Sequence, residues 1–119
     1  MSSRGEQGRL AEDLALARLE QAGLKLVDRN YRSRFGEIDI IMADGRTLVF
    51  VEVRYRRSAR YGSAEESVNR QKQARLIKTA ACFLREKRLD RPTRFDVAAL
   101  SPGPDGLSMA WIKDAFQAE

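Results

Sequence analysis

Residues 36–54, GEIDIIMADGRTLVFVEVR, set three acids inside two runs of β-branched and other apolar residues. The pattern predicts two strands and a tight turn, because alternation separates Ile38, Ile40 and Met42 from Glu37, Asp39 and Ile41. In the second run it separates Val49, Val51 and Val53 from Leu48, Phe50, Glu52 and Arg54. Asp44-Gly45 is a favoured two-residue hairpin turn. With that turn, Asp39 stands opposite Phe50 and Glu37 opposite Glu52, and Asp39 and Glu52 become diagonal neighbours roughly 7–8 Å apart between backbones. Two carboxylates so placed can converge on one cation, and a slip of one residue would part them. Burying both is costly without positive charge, which Arg54 supplies in part and a divalent cation could complete. The alternative is a solvated face on which Glu37 and Glu52 pair with Arg54 and neighbouring arginines. Leu48, Phe50 and Ile41 on the same face argue for cover.

The rest of the chain supplies cover and further charge. Residues 5–22 read as a first helix closed by Gly23, with Glu12 on the stripe of Ala15, Leu16 and Leu19. Glu12 is then either a first-turn acid favoured by the helix dipole or a third acid aimed at the hairpin. LKLVDRNYR follows as a strand beside the hairpin, with Asn30, Arg32 and Arg34 expected in solvent. After Glu52, Arg54, Arg56, Arg57 and Arg60 interleave with Tyr55 and Tyr61 in a loop suited either to phosphate or to plain solvation. A second helix is expected from about Ala64 to Arg88, with Val68, Leu76, Ala80, Phe83 and Leu84 inward and Lys72 in the same stripe. Lys72 either snorkels or, helped by Gln71, points into the acidic site. Arg75, Lys78, Arg85, Lys87 and Arg88 are expected to coat the outer face. TRFDVAAL then reads as a strand with Asp96 as a structural ion-pair partner, SPGPDG as a turn, and LSMAWIKDAF as a last strand on an edge.

Composition narrows the chemistry. There is no histidine and one cysteine, Cys82, expected to be a buried apolar residue, so histidine triads and zinc give way to oxygen ligands. Lys and Arg number 22 against 17 acids, a net charge of +5 that favours polyanionic partners, nucleic acid first. Neither a signal peptide nor a membrane span is legible, so a single cytoplasmic domain over residues 1–119 is expected, with no membrane partner and a homodimer left open.

An ordered set of motifs spans nearly the whole chain: G-x-x-x-E (Gly8 to Glu12), GEIDII (Gly36 to Ile41), VFVEVR (Val49 to Arg54), KQAR (Lys72 to Arg75) and RFDV (Arg94 to Val97). It resembles the YraN family of bacterial proteins within the PD-(D/E)XK nuclease superfamily, similar to archaeal Holliday junction resolvases. The resemblance implies an α/β fold, a mixed sheet flanked by helices in the restriction-endonuclease-like order α-β-β-β-α-β-β. It implies Glu12, Asp39 and Glu52 as acids that bind Mg²⁺ or Mn²⁺ with the Val53 carbonyl, and an endonuclease acting on branched or single-stranded DNA. Arg54 stands where the superfamily has lysine, and Lys72 is the candidate to replace that ammonium. In this scheme Arg54, Arg56, Arg57, Arg60, Gln71 and Lys72 contact the nucleic acid. A non-catalytic binding module of the same fold and a protein-interaction domain remain the alternatives.

Overall fold

The computed structural model describes residues 3–57 and 68–118. Helix α1 (Ser3–Gln21) is followed by three strands, β1 (Lys25–Ser33), β2 (Gly36–Asp44) and β3 (Thr47–Tyr55). Helix α2 (Arg70–Lys87) then leads to β4 (Thr93–Gly103) and β5 (Gly106–Phe116). The five strands form one sheet in sequence order, antiparallel except for the parallel pair β3–β4. A parallel pair needs a long crossover, and α2 lies within it. The expected α/β order is therefore the observed one. None of the described helices is long and apolar enough to cross a membrane.

Both helices are closed by their own backbone. Leu24 N–H returns to the carbonyl of Leu19 and Gly23 N–H to that of Glu20, with Gly23 at φ +100 as such a cap requires. At the end of α2, Leu89 and Arg88 repeat the pattern onto Leu84 and Arg85, and Arg88 takes the left-handed conformation. The start of α2 differs from expectation. Asn69 caps it by accepting from Lys72 N–H at 2.9 Å, so Val68 and Asn69 precede the helix, while residues 64–67 lie outside the described residues. Val68 is nonetheless buried, with Leu76, Ala80 and Phe83.

The sheet has a core on each face. Ala11, Ala15 and Leu19 of α1 pack with Ile40, Met42, Val49 and Val51, while Leu76, Ala80 and Phe83 of α2 pack with Ile41, Leu48, Phe50 and Phe95. The alternation holds throughout β3. In β2 it fails at one place, because Ile38 packs on the α2 side although Ile40 packs on the α1 side. Strand β1 changes sides at the same level: Arg29 pairs with Ile40 and Tyr31 with Ile38, and between them Asn30 has φ +53. The pleat is thus broken at Asn30 and Asp39, which are the positions between those two pairs.

The hairpin register also needs correcting. Asp44 pairs with Thr47, so the turn is Gly45-Arg46, and every β2 residue meets a β3 residue two further along than expected. Gly45, at φ +60, occupies the first turn position, and Arg91 clamps the turn by donating to the carbonyls of Gly45 and Arg46 at 3.0 and 2.7 Å. At the far end, β4 and β5 run through most of SPGPDG and leave only Pro104-Asp105 as the turn. Strand β5 is an edge as expected, and Cys82 is half-buried instead of buried.

Candidate functional site

The break in the pleat is where the acids meet. Regular β2–β3 pairing stops at Ile40–Val51, and the next position along that register brings Asp39 level with Glu52. The expected diagonal relation is thus replaced by a direct one. A shift of two residues preserves which face each side chain occupies, so the two acids still meet although the turn was misplaced. In place of a ladder bond, the Asp39 carboxylate accepts the Val53 N–H at 2.8 Å. In an extended strand the N–H and C=O of one residue point toward the same neighbour, so the Val53 carbonyl faces the same opening.

The site is largely buried and short of positive charge on one side. Glu52 is only 3% exposed and carries two cations, Lys72 Nζ at 3.2 Å and Arg54 at 3.6 Å. Lys72 therefore points its ammonium at the acid, and it is nearer than the arginine. Among the described residues Asp39 has no such partner. Burial first, then the negative charge of Glu52 and a hydrogen bond to it, push the Asp39 carboxyl up to about 8; the Val53 N–H pulls the other way and Glu12 adds slightly.

Helix α2 sharpens this electrostatic picture. Its first turn holds Arg70 and Lys72 and no acid, although cations at that end oppose the helix dipole by about 0.3–1 kcal/mol each. Asn69 fixes where the helix begins and so fixes Lys72 over Glu52. Gln71 is exposed in the same turn.

Glu12 sits apart from that pair. It is half-buried, as its place on the stripe predicted, but its carboxylate is held by Arg29 at 3.2 Å, a guanidinium shared with the exposed Asp13 at 2.9 Å. With its amide nitrogen turned inward, Asn30 donates to both Glu12 oxygens at 3.3 Å and to Glu37 at 3.1 Å. Glu37 in turn pairs with Arg32 at 2.7 Å, the cross-strand ion pair of the alternative reading. Glu37 does not meet Glu52. Among the described residues, no three acids or other ligand side chains are gathered closely enough to hold one ion.

Could a divalent cation fit the pair that remains? Mg²⁺ is commonly held by one or two carboxylates with water and substrate phosphate completing the shell. Asp39, Glu52 and the Val53 carbonyl are hard oxygen donors of that kind, and Asp39 is a carboxyl short of compensating charge. The pair fits the ion; Glu12 joins it only by leaving Arg29 and Asn30. Of the other residues assigned to nucleic acid, Arg56 is half-buried and its N–H donates to the Leu100 carbonyl, Arg57 is exposed, and Arg60 lies outside the described residues.

The sequence matches the model of the "Uncharacterised protein family UPF0102" over residues 11–100, a stretch that takes in Glu12, Asp39, Glu52 and Lys72. The chain belongs to UPF0102. Its relatives include a UPF0102 protein of Methylococcus capsulatus, 48% identical over 118 residues that cover 99% of this chain and 96% of the relative. A UPF0102 protein of Syntrophus aciditrophicus is 50% identical over 92% of this chain and 87% of its own length, and one of Stutzerimonas stutzeri 46% over 98% and 99%. In this UPF0102 protein the two residues that hold Glu12, Arg29 and Asn30, are not marked as site residues by the sequence pattern. Asn30 carried one legible signal, since asparagine tolerates the left-handed conformation that interrupts a strand. Arg29 carried none, because an arginine in an edge strand looks like a solvated one.

Proposed function

We propose that this UPF0102 protein is a divalent-metal-dependent nucleic-acid-processing domain of the PD-(D/E)XK type, acting on the phosphodiester backbone of DNA. The observation that carries the reading is the Asp39–Glu52 pair, two neighbouring carboxylates at an interruption of the central strands, with Lys72 at 3.2 Å from one of them. Asp39, Glu52 and the Val53 carbonyl would hold Mg²⁺ or Mn²⁺. When bound, such an ion supplies an activated water and takes up negative charge on phosphoryl oxygens. The Val53 N–H fixes the Asp39 carboxylate before any ligand arrives, so little reorganisation is needed. Lys72 orients Glu52 and brings an ammonium to the place where charge develops on the phosphate. Arg54, more loosely set at 3.6 Å, steadies the same carboxylate.

Calorimetric titration of Mn²⁺ into the wild type and Asp39→Ala tests the metal. Binding in the wild type that disappears in the variant supports the reading, and absence of binding in both removes the site. Cleavage of junction, flap and single-stranded substrates with Mn²⁺, lost in Glu52→Ala, supports turnover.

One observation favours a second reading. Glu12 is held by Arg29 and Asn30, and an arginine stands in the lysine position, which together suit a module that binds nucleic acid without cutting it. In that case all substrates are bound with a steep salt dependence and none is cleaved, and Arg54→Lys restores cleavage if the missing lysine is the cause.

A further inference from the structure

We propose that Arg34, Phe35 and Lys78 form a preorganised grip for a nucleic-acid strand running past the Asp39–Glu52 site, an inference that rests on the function proposed above and gives it a substrate track. The cluster lies where the β1–β2 turn meets α2, and its two cations are expected from the sequence to do no more than meet solvent. The Arg34 guanidinium lies 4.8 Å from the centroid of the Phe35 ring and the Lys78 ammonium 5.5 Å. Energetically significant cation–π contacts occur roughly once in 70–80 residues, so two cations gathered on one ring are unusual. Among the described residues neither cation has a carboxylate partner at ion-pair distance, so like charges are collected side by side without compensation. Such an arrangement is relieved by an anion.

The turn is held rigidly against α2. Thr79 Oγ1 donates to the Arg75 carbonyl at 2.8 Å, which uses its only proton, so in its 3.0 Å contact with Ser33 the serine hydroxyl must be the donor. The same serine oxygen accepts the Phe35 N–H at 3.0 Å. Gly36 takes φ +155, a conformation that residues with a Cβ rarely adopt, and its Cα packs against α2, where a Cβ would stand in ordinary contact 3.6 Å from Thr79 Oγ1 and 3.7 Å from Arg75 Cβ. The turn that carries the ring and Arg34 is therefore held against α2, which carries Lys78, before any ligand binds, and this separates the cluster from an ordinary solvated loop.

Position points to a polyanion. The turn opens β2 three residues before Asp39, and along α2 the residues Lys72, Arg75 and Lys78 follow at intervals of three. From Lys72 to Lys78 the helix rises about 9 Å, more than the distance between two successive phosphates of a nucleic-acid strand. A single phosphate would need only one end of this track. At 3.6 residues per turn Lys72 and Lys78 lie about 120° apart around α2, so the cations wind from the acidic site to the aromatic ring, a basic surface that a nucleic-acid strand fits.

The test measures anisotropy of a labelled single-stranded oligonucleotide in EDTA over a series of salt concentrations, so that hydrolysis and metal play no part. Arg34→Gln/Lys78→Gln is compared with the wild type and with Arg85→Gln/Lys87→Gln, which removes equal charge from the far end of α2. The expected result is at least about tenfold weaker binding in the first double variant and a log–log salt slope lower by about 1.5, with the second within about twofold of wild type. Phe35→Leu, which keeps an apolar side chain and removes the ring, is expected to weaken binding by about threefold. Unchanged binding in Arg34→Gln/Lys78→Gln, or an equal loss in the control pair, overturns this inference while the function above stands. No binding by the wild type in EDTA also overturns this inference, and the Mn²⁺ titration and cleavage assays above then decide the function separately. Sedimentation with phosphatidylglycerol vesicles that depends on Arg34 and Lys78, without their contributing to oligonucleotide binding, assigns the cluster to a membrane and overturns it as well.

Discussion

Asp39 on β2 and Asp96 on β4 are acids of interior strands that flank β3, and they are treated in opposite ways. Asp96 is fully buried and surrounded by donors: Arg94 contributes its Nε and a terminal nitrogen, Trp111 its indole N–H at 2.9 Å, and Asp114 its backbone N–H at 2.9 Å. Arg94 is itself shared with Asp44 at 2.8 Å, so the network ties β5 and the end of β2 to β4. Asp39 receives one backbone N–H and faces another carboxylate. Folding alone accounts for Asp96. It does not account for Asp39, whose surroundings favour its uncharged form. An acid that the fold leaves under-compensated beside a second acid is a candidate for a ligand, whereas one enclosed by donors is a fastener.

The sharpest way to break this comparison is to make the same substitution at both acids. Asp96→Asn should lower unfolding free energy in urea by about 3 kcal/mol, because it leaves Arg94 beside a neutral amide in a buried network. If the loss is below about 0.5 kcal/mol, Asp96 is not the fastener described.

Asp39→Asn should change stability in the other direction when metal is chelated. The folded Asp39 carboxyl titrates at about 8, above its ordinary 3.8, so the stability its protonated form contributes is complete below pH 4 and is lost as the pH rises toward 8. Asparagine keeps an acceptor for the Val53 N–H and cannot ionise. The variant should therefore match the wild type near pH 4 and exceed it by about 2 kcal/mol at pH 9. A variant that is less stable at pH 9 would make Asp39 a second fastener.

Smaller effects refine the contrast. Asn69→Ala should cost about 1 kcal/mol through loss of the cap and should also loosen Lys72 over Glu52, so that Mn²⁺ binding measured calorimetrically changes along with stability. Tyr31→Phe lies outside both regions. Its hydroxyl donates to Glu86 at 2.6 Å on the surface, a bond that, with partial burial, pushes the phenol up to about 12. Removing it should cost no more than about 0.5 kcal/mol in thermal unfolding and leave metal binding untouched.

Much of the site could be read from the chain. Three acids in apolar strands marked the place, and Lys72 in the apolar stripe of α2 was correctly suspected of pointing inward. The turn was placed one residue early because Asp44-Gly45 and Gly45-Arg46 are both plausible hairpin pairs. What decides is the clamp by Arg91, from a segment distant in sequence. Glu12 was placed on the right face of α1, but its partners came from β1, whose arginine and asparagine gave little sign of their contacts.

The sequence by itself determined the order of elements, the two-sided sheet and the presence of acids where a strand would normally carry apolar residues, since these follow from local periodicity and from helix caps. Tertiary structure alone decided that Ile38 and Ile40 face opposite sides, that Asp39 meets Glu52 directly, and that Glu12 is held by Arg29. The physical reason is that alternation specifies only which side of a strand a residue occupies. Distance and compensating charge depend on how neighbouring strands and helices break, slide and dock against it.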